Sequence, residues 1–186
     1  ESLPLKQEQV ARLGEFATLH SVGIAPVLLG ALAAYLAKAH GRRELVLGLP
    51  THNRKNHLQK KMLGVFTGIS PLVVPVPQDI CFSQLVSNIV EQQKKDFRHQ
   101  RYPIGHIIND LQLSGEQKSL YDVCFNYLKL DSHLRFEEAN ADLVYLSHNH
   151  EETPLTMTVW EYGTQGTVEI QLDYGIAYFD KKEIKL

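Results

Sequence analysis

The chain has 186 residues, 44% of them hydrophobic and 22% charged, with a formal net charge of −2 and a pI near 6.5. That balance excludes a disordered tail and a general attraction to nucleic acid or to an anionic membrane. The length suffices for one domain, or one large lobe of a bigger one, to bury a core without staples.

In chain order, Lys6 to His20 reads as a helix, with Val10, Leu13, Phe16, Ala17 and Leu19 near helical spacing. Ser21 to Lys38 reads as a second helix, with Ser21 as N-cap, Pro26 in the opening turn and Gly41 past the end. It is apolar nearly all round, the pattern of a helix buried between layers. The apolar run Val22 to Ala39 is broken by Gly23, Pro26 and Gly30, which argues against a membrane span. The chain opens on Glu1 rather than Met and has no signal-peptide pattern, so a fragment of a cytoplasmic protein is expected.

Glu44 to Leu49 reads as a buried strand and Pro50 to Lys61 as a polar loop. Ile69 to Val76 reads as a strand that Pro71 and Pro75 confine to an edge or an irregular course. Phe82 to Arg98 is an amphipathic helix, Tyr102-Pro103 ends it, and Ile104 to Leu111 reads as a short helix. The period then changes to two residues over Tyr121–Leu128, Asp142–Ser147, Met157–Tyr162 and Thr167–Tyr174, with a hairpin turn at Gly163–Gly166. Phe179 to Leu186 reads as the start of a helix. The expected fold is an α/β sandwich, a mixed sheet with helices on one face, spanning residues 1–186 without an internal linker.

Two cysteines, Cys81 and Cys124, lie far apart without zinc-ligand spacing and read as buried free thiols. The basic clusters Arg42-Arg43, Arg54-Lys55 and Lys60-Lys61 read as solvated surface. His148, His150, Glu151 and Glu152 form the most metal-like group, but they sit in a polar stretch before Thr153-Pro154 and read as an exposed loop; no metal site is expected.

Six segments in order carry a family resemblance. The helix Ile24–His40 with the strand Glu44–Leu49 runs into Pro50–Arg54. Leu63-Gly-Val-Phe-Thr-Gly-Ile69, His99-Gln-Arg-Tyr-Pro-Ile104 and Asp122-Val-Cys-Phe-Asn-Tyr127 follow. Pro154–Val159 and Ile170–Tyr174 with Phe179-Asp180 close the series. Together they resemble the second half of the nonribosomal-peptide-synthetase condensation domain. Departures from the family pattern fall at Thr67, Gly68, Arg101 and Ile104-Gly105.

The resemblance implies a chloramphenicol-acetyltransferase-like lobe, the C-terminal lobe of a condensation domain, whose N-terminal lobe is absent from this chain. The family joins carrier-bound aminoacyl and peptidyl thioesters through an amide bond. Its substrates ride on phosphopantetheine arms of partner carrier domains, in a tunnel between the lobes, and no cofactor is bound directly. Its catalytic motif, a histidine pair followed by Asp-Gly, does not occur in this sequence, so no catalytic residue is expected here and the lobe should be inactive alone. Its severed face should favour self-association. Two other readings stay open: a degenerate, non-catalytic carrier-docking module, and a lobe of a related carrier-independent acyltransferase. The patterns of the epimerization and heterocyclization subfamilies are not found.

Within that frame the expected wall of the tunnel is Gly64, Phe66, Thr67 and Gly68, where glycines let backbone approach a thin, amide-rich arm. The loop residues Thr51, Asn53 and Arg54 follow the C-terminal end of a buried strand, and Arg54 is expected to meet a carrier's phosphate in bidentate geometry. The bland reading of both segments is a turn that only shapes the next strand, or a solvated loop. His99 is expected to order a helix C-terminus rather than act as a base. Trp160 and the tyrosines of the late strands read as core or lobe-interface residues.

Overall fold

The computed structural model describes residues 1–54, 56–113, 119–130, 135–136, 139–140, 153–163 and 167–184. The strands are β1 (Ser2–Pro4), β2 (Glu44–Thr51), β3 (Gly68–Pro75), β4 (Val123–Leu130), β5 (Arg135–Phe136), β6 (Ala139–Asn140), β7 (Leu155–Tyr162) and β8 (Thr167–Tyr174). Six of them form one mixed sheet in the order β1-β8-β7-β4-β2-β3, and β5 pairs with β6 separately. In the large sheet β4 runs parallel to both β2 and β7, while the remaining neighbours are antiparallel.

The helices are α1 (Gln7–Leu19), α2 (Ile24–His40), α3 (His57–Lys61), α4 (Phe82–His99), α5 (Ile104–Asp110) and α6 (Lys181–Ile184). Alternation along the strands puts Leu47 and Leu49, Leu72 and Val74, Phe125, and Met157 and Val159 on one face of the sheet. They form one buried cluster with Leu28, Leu29, Ala33 and Leu36 of α2 and Leu85 and Ile89 of α4. The sandwich expected from the sequence is therefore the fold found, with α1, α2 and α4 over one face of the sheet. Gly30 lets α2 and α4 close: a Cβ there would stand 2.9 Å from Val86 Cγ2.

Most element boundaries follow the periodicity, and the departures have physical causes. Ser21 does not cap α2. It adopts a left-handed φ of 53°, its amide bonds back to the Thr18 carbonyl, and Gly23 takes the N-cap position. Gly41 does end α2 in the left-handed conformation, φ 60°. The stretch Pro50 to Lys61 is not all loop: β2 continues to Thr51 against Gly68 of β3, and α3 forms over five residues behind its cap Asn56, whose Oδ1 accepts from the Gln59 amide at 2.8 Å. β1 is an unexpected strand at the sheet's far edge, paired to β8 from Ser2 to Pro4. β3 is the opposite edge, as its prolines require.

The hairpin expected around Gly163 is present as the pairing of Tyr162 with Thr167; its residues 164–166, like the expected strand Asp142–Ser147, lie outside the described residues. Cys124 is buried but Cys81 is exposed, because it caps α4 at the surface rather than packing under it. Among the described residues no single helix is long and apolar enough to cross a membrane. The apolar residues of α2 are used in packing against α4 and the sheet.

The face of the sheet away from the helices is polar and half-buried. Trp160 Nε1 donates to Gln171 Oε1 at 3.1 Å, and Gln171 Nε2 reaches the Asp173 carboxylate at 2.8 and 3.0 Å. The Trp160 and Tyr162 rings stack at 6.4 Å. Trp160 is thus half-buried on this face and outside the cluster beneath the helices.

Candidate functional site

The seven residues singled out from the sequence come together at one end of the β2–β3 pair. Register places Thr51 opposite Gly68. Thr51 is 5% exposed, and its Oγ1 lies 3.2 Å from the Gly68 carbonyl oxygen and 3.4 Å from Asn53 Oδ1; its single proton serves one acceptor at a time. Asn53 takes φ 49°, a left-handed conformation that asparagine tolerates better than most residues. Gly68 is what lets the Asn53 amide in, since a Cβ on it would sit 2.8 Å from Asn53 Nδ2.

Arg54 organises the rest of the connection. Its Nη1 donates to the carbonyls of Gln59 and Met62, the latter at 2.7 Å, and its Nη2 donates to the Gly64 carbonyl at 2.9 Å. The guanidinium also lies over the Phe66 ring, 4.2 Å from its centroid. It therefore spans the C-terminal end of α3 and the turn beyond it, where a cation is favoured. Gly64 has φ 140°, open to glycine and strained for other residues. Phe66 is half-buried beneath the guanidinium, and Thr67 is exposed just before β3.

This geometry adds a structural role to Arg54. A guanidinium whose two terminal nitrogens are directed at three backbone carbonyls is a clamp on its own loop, with Nε–H and one Nη2–H outside those bonds. What the clamp presents outward is apolar: Leu63 is 102% and Val65 95% exposed, beside exposed Leu58 and Met62. The sequence reading missed two supports of this loop. One is the Asn56 cap of α3; the other is Arg101, whose Nη2 donates to Gln59 Oε1 at 3.2 Å and ties the loop to the α4–α5 turn. The first had a local signal, an Asn three residues before Gln59, whereas the second joins residues 42 apart and had none.

His99 is the last residue of α4 and exposed, the position expected of a residue that ends a helix. None of the seven residues is a His, Cys, Asp or Glu, so their chemistry is that of hydroxyl, amide, guanidinium and backbone partners. It can hold and orient a neutral ligand but has no group to move a proton. Among the described residues no group of His, Cys, Asp and Glu is placed to hold a metal ion. The cluster His148–Glu152 lies outside the described residues.

The sequence matches the family described as "Condensation domain" over residues 1–186. This chain belongs to the condensation-domain family. As a condensation-domain chain it is 29% identical over 175 residues to surfactin synthase subunit 1 of Bacillus subtilis (strain 168), covering 92% of this chain and 5% of that protein. It is 25% identical over 185 residues to the dimodular nonribosomal peptide synthase of the same organism, covering 98% of this chain and 8% of that protein. The chain thus spans less than a tenth of the length of these curated relatives. In fold it is similar to the condensation domain of monacolin K polyketide synthase MokA, with TM-score 0.86 at 17% identity over 97% of this chain and 42% of that one. It is also similar to the starter condensation domain of rhizomide synthetase RzmA, with TM-score 0.80 at 22% identity over 100% of this chain and 41% of that one.

Proposed function

We propose that this chain is the C-terminal lobe of a condensation domain that forms amide bonds between carrier-bound aminoacyl or peptidyl thioesters. It supplies one wall of the substrate tunnel. The observation that carries the reading is the family match over all 186 residues, combined with coverage of only 41–42% of solved condensation-domain chains. The order of the six resembling segments supports the second half of the domain rather than the first.

In this reading the acceptor's amine attacks the donor's thioester carbonyl, the carbon–sulfur bond breaks, and the peptide passes to the acceptor carrier. Thr51, Asn53, Gly64, Phe66, Thr67 and Gly68 line the path of a phosphopantetheine arm presented by a partner carrier domain, and Arg54 holds that wall in shape. Their contribution is positional. Holding two reactants in line recovers entropy that a bimolecular encounter would lose. The base and the opposite wall belong to the N-terminal lobe. The complete protein is cytoplasmic, and the isolated lobe self-associates through exposed apolar residues such as Leu63 and Val65.

Mass spectrometry of carrier-bound thioesters tests the reading. The full-length protein should convert a loaded donor and acceptor pair to the condensed product, and the 186-residue chain alone should not. Product from the chain alone would refute the one-wall assignment. No product from the full-length protein with loaded carriers that bind it would favour a degenerate docking module.

A further inference from the structure

The connection between β2 and β3 is attached beyond its own hairpin. Its ends are fixed by the pairing of Thr51 with Gly68, and its middle by the Arg54 guanidinium on the carbonyls of Gln59, Met62 and Gly64. Its tip, α3, meets the α4–α5 turn through Arg101, whose Nη2 donates to Gln59 Oε1 at 3.2 Å across 42 positions of sequence.

Both partners of that bond are held from behind. Arg101 sits in a turn closed by the Tyr102 amide, which donates to the His99 carbonyl at 2.8 Å, and by the Tyr102 hydroxyl, which donates to Asp110 Oδ2 at 2.5 Å. The helix that carries Asp110, α5, packs against β3. Gln59 is engaged through three groups. Its amide donates to Asn56 Oδ1 at 2.8 Å, its carbonyl accepts from Arg54 Nη1, and its side-chain oxygen accepts from Arg101. A closed frame therefore runs from β3 through α5, Arg101, Gln59 and Arg54 to Gly64 and Phe66, and back to Gly68 at the start of β3. A loop held at a third point has less freedom to lose when a ligand orders it.

From this frame we infer that Arg101 is a positioning residue for the proposed reaction. Acting through Gln59, it holds Gly64 and Phe66 in the arrangement that receives a pantetheine arm. The inference rests on the reading of this connection as a wall of the substrate tunnel. Such a wall holds the arm before and during the reaction alike, so loosening it weakens binding and leaves the chemical step unchanged. Arg101 is exposed and the bond at stake is a single one to a neutral acceptor, which sets the effect at about fivefold.

The test uses the full-length protein with Arg101→Ala and Gln59→Ala, the latter keeping the backbone amide and carbonyl of residue 59 in place. Arg101→Ala should raise KM for a carrier-bound aminoacyl thioester about fivefold, with kcat within about twofold of wild type. Amides in peptides covering residues 57–66 should exchange about fivefold faster. In the Gln59→Ala background Arg101→Ala should change neither quantity further, because the bond is already gone. A substitution that only destabilised the fold would instead lower the active fraction, and with it kcat, and would add to Gln59→Ala. Unchanged exchange in Arg101→Ala, or additive effects in the double variant, would overturn the inference. Phe66→Ala separates it from the wall reading. A raised KM in Phe66→Ala but not in Arg101→Ala would leave the wall standing and remove Arg101 from it. An unchanged KM in both, or no product from the wild type, would bring down the wall reading and the inference with it.

Discussion

Replacing Arg54 by alanine removes the guanidinium that donates to the Gln59, Met62 and Gly64 carbonyls and covers the Phe66 ring. A hydrogen bond exchanged with water contributes about 1 kcal/mol net. The cation–ring contact adds about 0.5–1 kcal/mol at a wet site. The sum is roughly 3.5–4 kcal/mol, but Arg54 is half-exposed, so water recovers part of what the freed carbonyls lose. About half of it, ~2 kcal/mol, should remain as the local free energy of opening. At 1.36 kcal/mol per decade this means amides from residue 57 to residue 66 exchange about 30-fold faster, because local opening limits their exchange. Global unfolding should move by less than about 1 kcal/mol, since the loop contributes nothing to the buried cluster of α2, α4 and the sheet. Hydrogen exchange read by mass spectrometry on peptides covering this loop measures the first quantity, and urea unfolding the second. Arg54→Lys should recover less than half of the protection, because an ammonium cannot span three separated carbonyls as a fork does. Exchange rates in the loop within about twofold of wild type would refute the clamp.

Gly48→Ala should destabilise the chain by about 1–3 kcal/mol, because a Cβ there would lie 2.6 Å from Tyr121 Cε2 in a central strand; in a Tyr121→Ala background the same change should cost close to nothing, and an unaltered cost would place the strain elsewhere. Asp96→Asn should become progressively more stable than wild type as pH rises. The folded carboxyl titrates above its ordinary value, so the stability tied to its proton is present below that value and is lost as pH rises through the raised one. Asparagine mimics the protonated form throughout, and urea unfolding at about pH 4 and about pH 7 should show the gap opening; a gap that stays constant contradicts the raised titration. Gly64→Ala should cost about 1–3 kcal/mol through its φ of 140°, seen as faster exchange in the same loop, and no change there would show that the loop relaxes around it.

Much of the fold was legible because its elements carry their partners' signature locally. The all-round apolar pattern of α2 announced a helix between layers, and the two-residue period announced β4, β7 and β8. What failed was structure whose cause lies far away in sequence. β1 is three residues long and extended because Ser2, Leu3 and Pro4 meet Gln171, Ile170 and Glu169, some 170 positions distant. α3 has no apolar periodicity to read; a cap at its start and the Arg54 guanidinium at its end hold it. At Ser21 a residue type suited to capping sits where the chain must reverse, and backbone geometry overrides the side chain's preference.

The candidate site divides along the same line. That Thr51, Asn53, Arg54, Gly64, Phe66, Thr67 and Gly68 belong together could be read from two short segments flanking one strand-to-strand connection, since an antiparallel pair returns the chain to where it left. Which way each side chain acts could not. A charged residue in a polar loop looks outward by default, and the carbonyls gathered where the chain leaves a five-residue helix turn Arg54 inward. Asp96 is the converse case. It sits on a helix whose sequence gives it an ordinary polar position, and the burial of one of its oxygens without a partner among the described residues shows only in the structure. Arg54 owes its role to carbonyls five to ten residues along its own loop, and Asp96 to burial that its helix's sequence does not announce.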